Sequence, residues 1–160
     1  MRIITLLFLT LTFQTTFSQT WEKFEIDEKV SITIPGPVNK ALSGNNIKVT
    51  TTTPFGYLTI ERTSLPDSLK LDDRIDFLKF YADAYVKGME FSGTIEIIES
   101  TADLINNVKA RNILFRTING QLNQLCFVSI NRKMYLIKFK EYLAPSDVER
   151  QKIFSSIQIN

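Results

Sequence analysis

The sequence contains no histidine and only one cysteine, Cys126. Without histidine, the chain lacks the usual general base near neutral pH and the commonest transition-metal ligand in proteins. Hydrolysis by a serine or cysteine nucleophile with a histidine base is therefore excluded, and a zinc site is not expected. A single cysteine also excludes an internal disulfide, so packing must stabilise the folded chain.

Neither sign of charge predominates. The 160 residues include 19 basic and 17 acidic ones, which gives a formal net charge of +2. Because a nucleic-acid-binding protein usually carries a dense basic patch, we do not expect nucleic acid as a partner. Internal repeats, charge blocks and linkers are also lacking, which is typical of a single domain.

The N-terminus has the features of a secretory signal peptide. Arg2 precedes a short apolar run, and the small residues Thr16 and Ser18 stand where export signals are cleaved. A membrane span needs about 20 mostly apolar residues, whereas threonine and glutamine interrupt this run. We expect cleavage after Ser18, with residues 1–18 as the signal peptide. Residues 19–160 then form one exported domain, periplasmic or extracellular, with no transmembrane segment.

Alternation of apolar and polar residues predicts several strands. Residues 30–34 alternate and end at Pro35-Gly36, and residues 47–53 and 57–62 form a hairpin around Pro54-Phe55-Gly56. The threonine run in residues 50–53 fits this interpretation, since β-branched residues favour strands. The first half of the domain is therefore expected to contribute strands to an antiparallel sheet.

Residues 108–140 predict a meander of three strands. Asn119-Gly120 is the strongest short hairpin signal, and as a two-residue turn it would place Ile113 opposite Cys126. A second turn is expected at residues 131–132. Both faces of this meander carry apolar residues, so something must cover each face. Cys126 would lie among apolar neighbours, where burial raises the pKa of a thiol and makes it unreactive.

Two helices are available as covers. Apolar residues recur at steps of four and three over residues 71–89, as in an amphipathic helix. A second helix is expected over residues 145–157, where Ser146 and Glu149 have the spacing of a capping box. Together these elements predict an α+β fold, a three-layer sandwich. Its largely antiparallel sheet has seven to eight strands and two main helices, one on each face.

Several short motifs resemble the PsbP-like superfamily. They are the opening Trp21-x-x-Phe24, the strand Val30-Ser31-Ile32-Thr33-Ile34 before Pro35-Gly36, the segment Met134-Tyr135-Leu136-Ile137, and the closing Phe154-Ser155-Ser156-Ile157. This superfamily includes the extrinsic photosystem subunit PsbP, bacterial DcrB-type envelope proteins and many other exported proteins. The resemblance implies an α–β–α sandwich and an accessory or binding role. It implies no catalytic or binding residues, because its motifs are packing motifs.

Two groups of carboxylates are candidates for a cation site or for an acid–base pair. Asp72, Asp73 and Asp76 could hold a cation, but no glycine-containing calcium loop accompanies them. We interpret them as charges that stabilise a helix start. Glu96 and Glu99 are three positions apart, so on a regular strand they point to opposite faces and cannot act as a pair. We expect no catalytic residues, metal ligands or cofactor.

Six residues are candidates for binding. Phe55 and Tyr57 flank a glycine turn, where exposed aromatic side chains could anchor a partner or fold back over the sheet edge. Four basic residues along the meander could form an anion-binding or docking surface, or only a solvated rim: Arg111, Arg116, Lys138 and Lys140.

We therefore expect a non-enzymatic exported protein that docks on a protein or another envelope component. The alternative is a carrier whose apolar sheet faces and aromatic helix enclose a small apolar ligand. Sequence leaves the oligomeric state open.

Overall fold

The computed structural model describes residues 20–67, 76–93, 95–142 and 147–160. Within these ranges the chain forms ten strands and two helices. In chain order they are β1 (Trp21–Glu25), β2 (Val30–Pro35), β3 (Val38–Ser43), β4 (Asn46–Thr52), β5 (Gly56–Ser64), α1 (Phe77–Ser92), β6 (Ile95–Ile105), β7 (Val108–Thr117), β8 (Leu122–Ile130), β9 (Lys133–Glu141), α2 (Asp147–Ser155) and β10 (Gln158–Ile159).

Seven strands form the main sheet, in the order β3-β4-β5-β9-β8-β7-β6. All neighbours are antiparallel, which confirms the predicted β4–β5 hairpin and the β7–β8–β9 meander. Strand β3 has no counterpart in the sequence-based expectation. Five of its six residues are exposed, so it lacks the apolar alternation by which a half-buried strand is recognised.

The register of β7 against β8 differs by one residue from the prediction. Ile113 pairs with Leu125 and not with Cys126. The reason is a turn of three residues instead of two, closed at Gly120, which has a φ of 78°. A left-handed glycine at this position is typical of a three-residue hairpin loop. The shift moves Ile113 and Phe115 to the opposite face of the sheet.

The register of β8 against β9 is the predicted one. Cys126 pairs with Ile137, and the turn lies at Asn131 and Arg132, as expected. Both turn residues have positive φ values, 46° and 62°. Two consecutive left-handed residues are typical of the type I′ hairpin turn, whose twist matches that of the strands.

Helix α1 covers one face of the main sheet. Leu78 and Ala82 are buried in a cluster that includes Phe127 from β8. The Phe127 ring meets Tyr81 and Tyr85 edge-on, with ring centroids 6.0 and 5.5 Å apart. These aromatic contacts add to the burial energy, so Phe127 is one of the residues that hold α1 on the sheet.

The other face is covered by a second, three-stranded sheet, β1-β2-β10, together with α2. Ile32 and Ile34 of β2 and Ile153 of α2 share one buried cluster with Ile60 and Phe139 of the main sheet. Strands β1 and β2 therefore pack on the main sheet and do not extend it. The predicted α+β three-layer sandwich, with α1 and α2 on opposite sides, is confirmed.

The acidic residues expected at the start of the first helix can be checked at one position. Asp76 is the N-cap of α1, and its carboxylate accepts a hydrogen bond of 2.9 Å from a backbone N–H three residues later. This confirms its role at the helix start. Asp72, Asp73, Ser146 and residues 1–18 lie outside the described residues. In the described ranges, neither helix is long and apolar enough to cross a bilayer.

A buried ion cluster joins the β1–β2 turn to the main sheet. The carboxylate of Asp27 accepts hydrogen bonds from the hydroxyl of Tyr135 (2.8 Å), from Arg62 (3.1 Å) and from the backbone N–H groups of Lys29 (2.9 Å) and Val30 (3.1 Å). Burial opposes ionisation of this carboxyl group. The hydrogen bonds, that of Tyr135 foremost, outweigh burial and lower the pKa of Asp27 to about 2.

Candidate functional site

Helix α1 leaves part of its face of the sheet open. It packs mainly on β7 and β8, and next to its C-terminal end the strands β4, β5 and β9 form the floor of a groove of about 620 Å³. We call it the lysine groove and define it by Tyr57, Met89, Ile95, Phe115, Lys138 and Lys140.

The strand register brings two lysines and a tyrosine together in this groove. Tyr57 of β5 pairs with Lys140 of β9, and Thr59 pairs with Lys138. Because the two lysines are two positions apart on a strand, their side chains point to the same face. Within the described part of the chain neither lysine forms an ion pair. The groove therefore presents two positive charges that no described residue neutralises.

A third lysine at the groove is already paired. The ammonium group of Lys48 lies 3.4 Å from the carboxylate of Glu61, and both side chains are well exposed. They are cross-strand partners in the β4–β5 hairpin. An exposed pair of this kind contributes little to stability, but it leaves Lys138 and Lys140 as the source of the net positive charge.

The opposite side of the groove is apolar. Met89 comes from the end of α1 and Ile95 from the start of β6, while Phe115 is buried beneath them. Ile118, in the β7–β8 turn, also lines the groove and is 76% exposed. An apolar wall beside unpaired lysines fits a partner that has an apolar side chain close to a carboxylate or another anionic group.

Three of the six predicted binding residues lie in this groove: Tyr57, Lys138 and Lys140. Phe55 does not line it. It lies at the tip of the β4–β5 turn, where its ring is exposed and its carbonyl accepts a hydrogen bond of 2.8 Å from the backbone N–H of Tyr142.

The two predicted arginines lie elsewhere. Arg111 is on the same face of the sheet as α1, and its guanidinium donates a hydrogen bond of 2.9 Å to the hydroxyl of Ser100. Arg116 is on the opposite face, in an ion pair of 3.2 Å with Glu96. The expected surface made by all four basic residues does not form, because the one-residue shift in the β7–β8 register turns Arg116 away from the lysines.

The expectation for Glu96 and Glu99 is wrong. Strand β6 has an irregularity between Ile97 and Glu99, so Glu96 pairs with Arg116 and Glu99 pairs with Leu114. Since Arg116 and Leu114 are two positions apart on β7, both glutamates face the same side. The extra residue of the bulge breaks the period of two on which the prediction rested.

Sequence patterns do not reveal the apolar wall of the lysine groove. Met89 belongs to the apolar face of α1, and in the sequence it looks like any other core position. Its place in the groove depends on where α1 ends above the sheet. The pairing of Lys48 with Glu61, by contrast, follows from the β4–β5 register and could have been found from the predicted hairpin.

Cys126 is fully buried, as predicted. Burial, with a smaller contribution from the negative charge of Asp103, raises the pKa of its thiol to about 12. The thiol is therefore protonated and inaccessible in the folded protein.

We expect a thiol reagent such as DTNB to modify Cys126 at least about 1000-fold more slowly in native buffer than in guanidinium chloride. The reason is that reaction must wait for the small unfolded fraction. Absorbance at mildly alkaline pH gives both rates. Rapid native reaction would show that β8 opens locally at Cys126.

The order of the seven strands, the helix on one face and the small sheet with α2 on the other define a PsbP-like α–β–α sandwich. The chain is similar in structure to cyanobacterial PsbP (CyanoP) from Synechocystis sp. PCC 6803, whose solution structure matches with a TM-score of 0.60. The match covers 93% of this chain and 98% of that chain, at 10% sequence identity. It confirms the PsbP-like fold expected from the motifs, and at this identity it shows the fold alone.

Two further solved structures are more distant. A protein from Bacteroides thetaiotaomicron matches at 13% identity and a TM-score of 0.47, covering 86% of this chain and 48% of that one. A protein of unknown function from Pseudomonas aeruginosa matches at 11% identity and a TM-score of 0.45, covering 82% and 88%. No family model matches the sequence, and neither does any curated protein.

Proposed function

We propose that this chain is an exported, non-enzymatic accessory protein that docks on a protein partner through the lysine groove. The observation that carries the proposal is the pair of unneutralised lysines, Lys138 and Lys140, beside Tyr57 in an open and partly apolar groove. Interfaces are enriched in tyrosine and methionine, which supply apolar contact, while charge complementarity selects the partner. The best fit is an acidic segment with one apolar anchor.

The other parts of the proposal rest on the sequence. Export is supported by the pattern of residues 1–18, and a role without catalysis is supported by the lack of histidine. The PsbP-like fold is compatible with an accessory role, although fold alone does not determine function.

The carrier alternative receives less support from the geometry. A carrier of an apolar molecule needs a cavity that encloses most of the ligand. The lysine groove is open to solvent, and its floor carries four charged side chains. Such a surface suits an amphipathic partner segment better than an apolar molecule that must be shielded from water.

Reversing the charge of the groove is expected to weaken docking by at least about tenfold. The double variant Lys138→Glu, Lys140→Glu replaces two favourable charge interactions with the partner by repulsion. Docking is measured by placing a photo-crosslinking amino acid at Tyr57 and irradiating cells that export the protein. One dominant protein adduct is expected. The cross-linked chain should begin at Gln19, which tests export. The amount of adduct should fall at least tenfold in the double variant.

The matched control is Lys23→Glu, Lys109→Glu, which makes the same charge change at two exposed lysines outside the groove. It should leave the adduct unchanged. An adduct that survives reversal in the groove, or that declines equally in the control, would overturn the proposal. A dominant adduct with lipid would replace the protein partner by the membrane surface.

A further inference from the structure

A second depression lies on the other face of the main sheet, between α2 and the strands β6, β7 and β8. It has a volume of about 250 Å³. The centre of this face is packed with apolar side chains, but here six of the seven lining residues are polar or charged. We call it the polar pocket, defined by Glu99, Thr101, Asn112, Gln124, Arg150 and Gln151.

The strand pairing determines which side chains form the floor of the polar pocket. Thr101 of β6 pairs with Asn112 of β7, and Leu114 of β7 pairs with Gln124 of β8. Glu99 is two positions from Thr101 and therefore shares its face. Three neighbouring strands thus each contribute a polar side chain to one patch, and α2 closes it from the side.

Arg150 of α2 is only 7% exposed. One of its terminal nitrogens bonds to Asp147, and its Nε lies 3.7 Å from the carboxylate of Glu141. Its other terminal nitrogen, Nη1, has no hydrogen-bond acceptor in the described residues. A buried donor without an acceptor is unfavourable, and because Nη1 has almost no accessible surface, an oxygen atom in the adjacent pocket would reach it only after a small shift of the Arg150 side chain.

Most of the remaining polar side chains of the pocket have no partner among the described residues. In the ranges that the structure describes, the side chains of Glu99, Gln124 and Gln151 take part in no hydrogen bond or ion pair. Asn112 donates one of its amide hydrogens to Asp103, at 3.2 Å. Free amides offer both donors and acceptors. Because Arg150 is already paired with Asp147 and Glu141, Glu99 adds a negative charge that the described residues do not compensate, so the pocket does not favour an anion.

We propose that the polar pocket binds a small, neutral, polyhydroxylated molecule about the size of one sugar ring. Its volume corresponds to about eight water molecules. Each hydroxyl group both donates and accepts, which matches amides, a carboxylate and a guanidinium in one site. Leu114 supplies a small apolar surface for the C–H groups of such a ring. The inference does not depend on the lysine groove, which lies on the opposite face.

The test is a titration of the ¹⁵N-labelled mature protein with glucose, N-acetylglucosamine and inorganic phosphate. One of the sugars is expected to shift the side-chain amide signals of Gln124 and Gln151 saturably, with a Kd of about 1 mM. Gln151→Ala should weaken this binding about fivefold, the effect of losing one neutral hydrogen bond. Gln158→Ala, at an exposed glutamine of β10 outside the pocket, should not change it.

Three results would overturn the inference. They are the absence of saturable shifts with both sugars, saturable shifts with phosphate alone, and equal weakening by Gln151→Ala and Gln158→Ala. Because the readout is separate from photo-crosslinking at Tyr57, failure of this proposal and failure of groove docking are distinguishable. Arg150 is left unchanged in the test because its ion pairs with Asp147 and Glu141 hold α2 in place.

Discussion

Replacing Asp27 by asparagine is expected to lower the free energy of unfolding by about 3 kcal/mol, because removal of one partner from a buried ion pair leaves the other uncompensated. The Asp27 carboxylate is 4% exposed, and the Arg62 side chain beside it is 14% exposed. An amide keeps the shape of the carboxylate but not its charge, and its NH₂ group is a poor neighbour for the donors of Arg62 and Tyr135.

Denaturant unfolding of Asp27→Asn against Glu28→Gln provides the measurement. Glu28 is the neighbouring acid and also pairs with Lys133, at 3.0 Å, but its side chain is 70% exposed. Its substitution should leave the free energy of unfolding almost unchanged, because an exposed ion pair contributes little. Equal losses in the two variants would mean that burial of Asp27 contributes nothing beyond a surface ion pair.

The same carboxylate makes stability depend on pH. The pKa of Asp27 is about 2 in the folded protein, against an ordinary value of 3.8. A lowered pKa means that the ionised form stabilises the fold. This stabilisation is complete above the unfolded value and is lost as the pH falls from about 4 towards 2. Over that interval the difference between the wild type and Asp27→Asn should shrink by about 2 kcal/mol.

The sequence predicts those parts of the fold that depend on local patterns. The period of four and three places α1, and consecutive turn formers place the β8–β9 turn at Asn131 and Arg132. The β7–β8 register was wrong by one residue because Asn119-Gly120 is compatible with turns of two and of three residues. Only the packed sheet, which buries Ile113 under α1, distinguishes them.

The candidate sites depend on contacts between distant residues. Asp27 and Tyr135 are separated by 108 positions, and Tyr57 meets Lys140 only because β5 pairs with β9. No local pattern in a single sequence encodes that pairing. The polar pocket is still harder to predict from the sequence, because Asn112 and Gln124 look like outward-facing strand residues until α2 is placed beside them. The sequence therefore showed which residues could bind a partner, but not which of them lie together in the folded protein.

Replacing Phe127 by alanine is expected to lower the free energy of unfolding by about 4 kcal/mol, the usual effect of removing a buried phenylalanine from a core. Phe127 has no exposed surface and meets two tyrosines of α1 edge-on. The variant should lose its contacts with α1 first, since the cluster on the opposite face of the sheet does not include Phe127.

Denaturant unfolding and amide hydrogen exchange together check this expectation. Exchange should accelerate more in α1 than in β2, because α1 loses two aromatic contacts while β2 belongs to the other core. The control is Phe91→Ala, which removes the same side chain at a position of α1 that is 97% exposed. Uniform acceleration in both elements, or an equal loss of stability in the control, would contradict the assignment of Phe127.

The Phe127→Ala substitution should also affect the lysine groove, because α1 forms one side of it. Met89, at the end of α1, and Lys138, on β9, lie on opposite sides of the groove, and α1 is held on the sheet through Phe127. Photo-crosslinking at Tyr57 should therefore weaken in Phe127→Ala even under conditions where the protein remains folded, and it should persist in Phe91→Ala. Unchanged photo-crosslinking in Phe127→Ala would mean that the lysines alone bind the partner and that the apolar wall contributes nothing.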